Sequence, residues 1–189
     1  MDSQWPSVSQ NQRLSAVVAL LTNEDDSRLL FTLRASGLSH HGGQISFPGG
    51  GRESQDSCPR DTAFREMSEE IGLDPACVHP LGQLRTREIS VSSNHVIPIV
   101  ATWSGLEEVL VHDPEEVDSI LSWSLSELAD PVHRVTARFR IGYTGPAWQM
   151  GDLFLWGFTA RLVDILIDLG GWYQPWDKSR IVDVPKRFQ

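Results

Sequence analysis

The chain has 189 residues, long enough to bury a core within one domain without disulfide or metal staples. Its formal net charge of −9 argues against broad binding to nucleic-acid backbone, which needs a basic face to release counterions. A phosphate-bearing ligand stays open, because a cation and a few placed arginines reverse the sign locally. Cys58 and Cys77 stand in no CxxC or His-paired spacing, which argues against a metal knuckle, a redox motif or a secreted disulfide framework and favours a reducing, cytoplasmic compartment. The first ten residues lack a basic start followed by an apolar core, so no signal peptide is expected. The most apolar region, 152–172, is broken by Arg161, Asp164 and Asp168, so no membrane span is expected either.

Residues 1–13 read as a loosely held arm. The aliphatic run 14–21 predicts a strand buried on both faces, and the turn cluster 23–27 joins it to a second strand, 28–34, as a hairpin. Loop 35–46 carries Gly37, Gly42 and Gly43 around His40 and His41, which read as solvated residues because no partner stands at ligand spacing. Gly49, Gly50 and Gly51 follow Phe47-Pro48 and let the chain bend tightly and bring its own amides and carbonyls up to a ligand. A helix over 57–71 comes next. Asp56 or Ser57 suits its cap, Pro59 its first turn and Gly72 the position past its end. Ala63, Phe64, Met67 and Ile71 recur at three- and four-residue steps as its core face.

Strands are expected at 81–89 and 95–103, an acidic connection at 107–118, a strand at 119–125 and a short helical turn at 126–129 stopped by Pro131. A late hairpin is placed at 134–143 and 149–155 around Gly145-Pro146. The amphipathic helix 156–169 has Phe158, Leu162, Ile165, Leu166 and Leu169 as its core stripe. The tail 172–189, with Trp172, Tyr173 and Trp176, is expected to pack on something, its own domain included. Phe47 and Trp148 read as core aromatics. With no internal repeat or linker, 1–189 reads as one domain.

The steps from Glu66 to Glu69 to Glu70 place three carboxylates within an arc of about 100° on the helix. Two readings are open from the residues themselves. One is a solvated face stitched by Asp61–Arg65 and Arg65–Glu69 pairs at four-residue spacing. The other is a site for a hard divalent cation, which prefers oxygen ligands and binds through a few carboxylates plus substrate phosphates. The glycine-rich loop at the helix start favours the second.

Arg65-Glu66-Met67-Ser68-Glu69-Glu70-Ile71-Gly72-Leu73 fits the second half of the Nudix box, Arg-Glu-apolar-x-Glu-Glu-x-Gly-apolar, at every defined position, so the chain resembles the Nudix family. The first half departs. Counted from Gly51, Ser57 stands where an acid is expected; counted from Gly50, Asp56 fills that place, with one extra residue before Arg65. That longer spacing is similar to the coenzyme A diphosphatase branch. So is the upstream motif, Leu30-Phe31-Thr32-Leu33-Arg34-Ala35 followed by Gly43-Gln44-Ile45-Ser46-Phe47-Pro48-Gly49-Gly50, although Ser39 occupies the place of its spaced arginine. Two further stretches, 93–100 and 156–161, also look like segments of this branch.

The resemblance implies an α/β/α sandwich around a mixed β-sheet, with the box helix and the late helix on opposite faces. It implies Glu66, Glu69 and Glu70 as metal-site carboxylates, the Gly49 carbonyl as a further ligand and Mg²⁺ or Mn²⁺ as cofactor. Glu69 is the first choice as general base and Glu116 the second, the alternative for Glu116 being a solvated loop charge. Arg65 is implied to orient the glutamates through ion pairs. Arg34 is either a substrate-phosphate contact, together with Gly49 and Gly50, or a surface arginine at a strand end. Asp56 is either a helix cap or a support for the metal site.

The activity implied is metal-dependent hydrolysis of the diphosphate of coenzyme A, or its acyl or disulfide forms, to 3′,5′-ADP and a 4′-phosphopantetheine product. ADP-ribose, a nucleoside diphosphate sugar or a dinucleotide is the alternative substrate that Ser39 permits. A non-catalytic nucleotide-sensing module is the third reading, against which the intact glutamates weigh. The expected partner is a small-molecule diphosphate, with neither nucleic acid nor membrane, and with monomer and homodimer both open.

Overall fold

The computed structural model describes residues 4–7, 12–38, 41–89, 94–139 and 142–188. Strand β1 (Arg13–Thr22) turns into β2 (Arg28–Arg34), and the short strands β3 (Ile45–Ser46) and β4 (Gly49–Gly51) lead to helix α1 (Pro59–Ile71). A 3₁₀ turn at Pro75–Cys77 precedes β5 (His79–Gln83), β6 (Arg87–Ile89), β7 (Asn94–Trp103), β8 (Val117–Ser124) and α2 (Leu125–Ala129). The chain then forms β9 (Arg134–Arg138), β10 (Thr144–Met150), β11 (Leu153–Leu155), α3 (Gly157–Leu169) and β12 (Ile181–Asp183).

At the centre of the first sheet, β1 and β7 lie parallel and in register from Arg13 opposite Asn94 to Thr22 opposite Trp103. β2 and β4 pair antiparallel with β1, β5 and β6 with β7, and β3 and β8 with β2. A central pair covered on both faces needs apolar residues at successive positions, which is why 16–21 is an unbroken aliphatic run. Ala16, Val18 and Leu20 turn towards Ala63, Phe64, Met67 and Ile71 of α1. Ala19, with Leu29 and Phe31 of β2, turns the other way, onto Trp148, Leu155 and the α3 residues Leu162, Val163, Leu166 and Ile167. The result is the expected α/β/α sandwich, with α1 and α3 on opposite faces.

Several expectations need correction. The strand placed at 81–89 is two strands, β5 and β6, broken at 84–86, and β5 is itself bulged where its pairing with β7 shifts register between Pro80 and Gly82, residues that favour a bulge. Gly145 and Pro146 lie inside β10 rather than at a turn. Pro146 stands opposite Thr136, whose N–H is already given to the Arg180 carbonyl on the other side, so that position asks no ladder donor of the proline. Strand β8 begins at Val117, inside the segment read as an acidic loop. On α3 the buried residues are Thr159, Ala160, Leu162, Val163, Leu166 and Ile167, whereas Phe158 and Ile165 are half-buried and Leu169 is exposed. The helix has more apolar residues than one stripe needs, and the rings and strands it meets select which arc is covered.

The tail packs on its own fold. β12 pairs parallel with β9 in a second sheet of order β11-β10-β9-β12, and Val184 joins a small core with Val135, Ala137, Ala147 and Phe154. Arg134 of β9 is completely buried, with its guanidinium 4.7 Å from the rings of both Trp148 and the tail residue Trp176 and ion-paired to Asp164 of α3. Removing the partner of a buried charge costs more than removing the pair. Asp164→Ala is therefore expected to cost about 3 kcal/mol in urea unfolding, and Asp168→Ala, at an exposed position of the same helix, less than about 0.5 kcal/mol. Equal midpoints for the two variants would mean that the aromatic rings alone hold the Arg134 charge.

Candidate active site

The site forms where β4 squeezes between β1 and α1. Gly49 has φ 145°, and a Cβ there would lie 2.3 Å from the Ala16 carbonyl oxygen, so only glycine fits. Its N–H donates to Glu70 Oε2 at 3.1 Å. A Cβ on Gly50 would lie 2.5 Å from the carboxyl carbon of Glu66. The two glycines thus admit, respectively, the neighbouring strand and the helix carboxylate.

The N-cap of α1 is Cys58, not Asp56 or Ser57, and Asp61 accepts the Cys58 N–H at 3.3 Å. Pro59 fills the first turn, and Gly72 ends the helix in the left-handed region at φ 70°. Asp56 is drawn away from the cap because its carboxylate is already used. It accepts from Thr62 Oγ1 at 2.7 Å, from the Glu53 N–H at 2.8 Å and from Arg65 Nε at 3.2 Å. Burial pushes the Asp56 carboxyl up, but the bonds from Arg65, Glu53 and Thr62 outweigh it and hold the group at about 2.

Arg65 gathers the site around itself. Its Nη2 reaches Asp56 Oδ2 at 3.1 Å, Glu66 Oε1 at 3.1 Å and the Gly51 carbonyl at 3.0 Å, while Nη1 reaches Glu69 Oε2 at 2.8 Å and Glu53 at 3.6 Å. The bond to Asp56 leads the causes that raise the Arg65 pKa further. The expected Arg65–Glu69 pair is present; Asp61 pairs instead with Arg60, at 3.7 Å.

The glutamates differ in setting. Glu70 is buried, and burial pushes its carboxyl up to about 8; the Gly49 N–H and the charge of Arg34 oppose that shift, and Glu66 and Glu116 add to it. Burial also raises Glu66 against the pull of Arg65, with Glu69 and Glu116 adding to the rise. Glu69 is exposed on the Arg65 side. Among the described residues, no group of three or more His, Cys, Asp or Glu side chains stands as a ready-made metal cage. What does stand there is a concentration of carboxylate oxygens around a buried Glu70. An oxygen donor set with unneutralised negative charge fits a hard divalent cation, which would relieve the repulsion that now raises both groups.

Glu116 reaches this neighbourhood because its loop is strapped to the helix end and to β2. The Leu110 N–H donates to the Ile71 carbonyl at 3.1 Å, His112 N–H to the Glu70 carbonyl at 2.9 Å and Ala35 N–H to the Glu116 carbonyl at 2.8 Å. No sequence signal announces these backbone bonds. Arg34 is half-buried at the end of β2, on the Glu70 side of the sheet. Much of the upstream motif is packing: Phe31 stacks on Phe47 with centroids 5.0 Å apart, and the Thr32 and Ser46 hydroxyls meet at 2.9 Å. Trp148 is likewise core, its indole N–H donating to the Leu128 carbonyl. His41 is exposed beside Gln44, and Ser39 and His40 lie outside the described residues.

The NUDIX domain family profile matches residues 12–140. The mouse protein named mitochondrial coenzyme A diphosphatase NUDT8 is 34% identical over 158 residues, covering 78% of this chain and 73% of its own. The uncharacterized Nudix hydrolase NudL of Yersinia enterocolitica is 33% identical over 167 residues, covering 83% and 81%. Among solved structures, the Nudix hydrolase RenU of M. smegmatis superposes with a TM-score of 0.58 at 14% identity, covering 89% of this chain and 91% of its own. The chain belongs to the Nudix family and is a Nudix hydrolase, an enzyme that acts on phosphoanhydride bonds. Nudix hydrolases generally use divalent metal ions.

The Asp56–Arg65 pair has a pH signature. The Asp56 carboxyl titrates at about 2 when folded, against 3.8 for the free group, so between these values the native state binds fewer protons than the unfolded chain. The stabilisation is complete above pH 3.8 and is lost as pH falls towards 2. Asp56→Asn is expected to lower stability at neutral pH by about 2 kcal/mol and to flatten the acid loss below about pH 4, as read from thermal unfolding across pH. An unchanged acid profile in the variant would show that Asp56 does not hold Arg65.

Proposed function

We propose that this hydrolase cleaves the diphosphate of coenzyme A, or its acyl or disulfide derivatives, to 3′,5′-ADP and a 4′-phosphopantetheine product. The observation that carries the reading is the convergence of two motifs on one group: Gly49 of the Phe-Pro-Gly-Gly run and Arg34 of the upstream strand both act on the buried Glu70. The mouse relative, a coenzyme A diphosphatase by name, supports the same substrate class.

In this reading Glu66, Glu69 and Glu70, with the Gly49 carbonyl, hold Mg²⁺ or Mn²⁺. When bound, the ion supplies Lewis-acid polarisation of the phosphoryl oxygens. The protein's own groups do the rest. The Arg34 guanidinium clamps a phosphate through two parallel hydrogen bonds. Arg65, anchored by Asp56, fixes the direction of Glu66 and Glu69 and ties the Gly51 carbonyl to the helix, so that loop and carboxylates keep one geometry. Glu69, oriented by Arg65 yet exposed, takes the proton of the attacking water; Glu116 is the second choice for that role. Gly49 and Gly50 leave room for the diphosphate to approach the backbone. The reading treats 1–189 as a single Nudix domain, and the two free thiols, Cys58 and Cys77, suit a reducing, cytoplasmic compartment.

Incubation with coenzyme A and Mg²⁺ or Mn²⁺ is expected to yield 3′,5′-ADP and 4′-phosphopantetheine by mass. Glu70→Gln is expected to lower kcat/KM by about a hundredfold with an unchanged circular dichroism spectrum. Full activity in that variant would remove Glu70 from the site. Coenzyme A left intact while ADP-ribose is cut would transfer the reading to nucleoside diphosphate derivatives.

A further inference from the structure

Beside the glutamate cluster, at the open end of the first sheet, lies a cavity of about 480 Å³ lined by Arg13, Ser15, Gly51, Arg52 and Asn94, with Gln12 and Leu14 completing its wall. Among the described residues no carboxylate lines it, although the chain as a whole carries a net charge of −9. Two arginines converge there from different strands. Arg13 opens β1, and Arg52 follows β4, held by its N–H to the Leu14 carbonyl at 2.9 Å. The Arg52 guanidinium rests on the ring of Trp5 at 5.0 Å, and Trp5 is itself half-buried against the α1 side of the core. Stacking of this kind uses the flat face of the guanidinium and leaves its in-plane N–H groups free to bind an anion. Ser15 Oγ donates to Asn94 Oδ1 at 3.0 Å, which commits the amide oxygen and leaves the NH₂ group as the donor that Asn94 offers.

The cavity is continuous with the catalytic loop. Gly51 forms part of its wall while its carbonyl accepts from Arg65, and Gly50, the preceding residue, faces Glu66. From Gly50 to Arg52 the extended backbone covers about 7 Å. A ligand whose diphosphate lies at the glutamates therefore brings a neighbouring substituent to Arg13 and Arg52. Two fork-shaped cations and an amide donor, with no acid among the described lining residues, match a dianionic phosphate.

We propose that this cavity binds a phosphomonoester carried by the substrate apart from the diphosphate that is cut. Resting on the function proposed above, that group is the 3′-phosphate of the coenzyme A ribose.

Calorimetry of the full chain with 3′,5′-ADP and with AMP, which differ only in the 3′-phosphate, tests the cavity without turnover. The wild-type protein is expected to bind 3′,5′-ADP about tenfold more tightly, and Arg13→Ala/Arg52→Gln to lose that preference with AMP binding unchanged within about twofold. Arg13→Ala alone, at an exposed strand start, is expected to lose at least about threefold of it, which keeps the test independent of the Arg52–Trp5 packing. In turnover, the double variant is expected to lower the kcat/KM ratio of coenzyme A over 3′-dephospho-coenzyme A by about tenfold. Equal wild-type affinity for the two nucleotides, no binding of 3′,5′-ADP, or a preference that survives in the variants overturns the proposal. A calorimetric preference together with uncut coenzyme A leaves the cavity standing and refutes the substrate assignment instead.

Discussion

Arg65 and Asp56 form the pair on which the site's geometry rests. A buried carboxylate is tolerated only when its lone pairs are occupied, and Asp56 fills them with Thr62, the Glu53 N–H and the fork of Arg65. The same guanidinium then has donors left for the Gly51 carbonyl and for two glutamates on its own helix. One cation thereby ties the glycine strand, the loop before the helix and the helix face into one unit. The extra residue between Asp56 and Arg65 lies within that arrangement, since Asp56 sits outside the helix and Arg65 in its second turn.

Against this rigid anchor, Glu70 and Glu66 are left in electrostatic tension. Both are raised by burial and by neighbouring carboxylates; Arg65 offsets this only in part at Glu66, and the Gly49 N–H and the charge of Arg34 only in part at Glu70. Such tension is costly in a purely structural helix. It becomes useful when a cation or a charged ligand enters, because the ligand then gains what the protein alone lacks. The cluster sits where β2, β4, the end of α1 and the loop before β8 approach one another.

The second sheet has a different task. It covers the face of the first sheet away from α1, and it is completed by the tail, whose strand adds beside β9 and whose Trp176 closes over Arg134. A fully buried arginine is placed here among ring faces and one aspartate, far in sequence from the glutamates. Nothing in the run from Pro131 to Thr136 marks Arg134 as buried. Its burial follows from Trp148, Asp164 and Trp176 arriving from three separate elements.

Local pattern was enough for much of the molecule. The aliphatic run of β1, the stripe Ala63, Phe64, Met67 and Ile71, the proline and glycine bounding α1, and the spacing of Glu66, Glu69 and Glu70 are all properties of neighbouring residues, and each reappears in the fold. The residues that went astray depended on remote partners. Asp56 was free to be a cap until Arg65 and Thr62 engaged it, Pro146 was free to be a turn until β9 and the tail set its place in a strand, and the α3 stripe rotated to meet Trp148 and Leu155. The sequence by itself determined the family, helix α1 and the acidic residues it carries, because helical periodicity and glycine chemistry act over a few bonds. Tertiary structure alone decided which glutamate is buried, that Glu116 and Arg34 approach it, and that Arg13 and Arg52 share a cavity. Burial and long-range charge depend on what packs nearby, and that is settled only when distant strands come together.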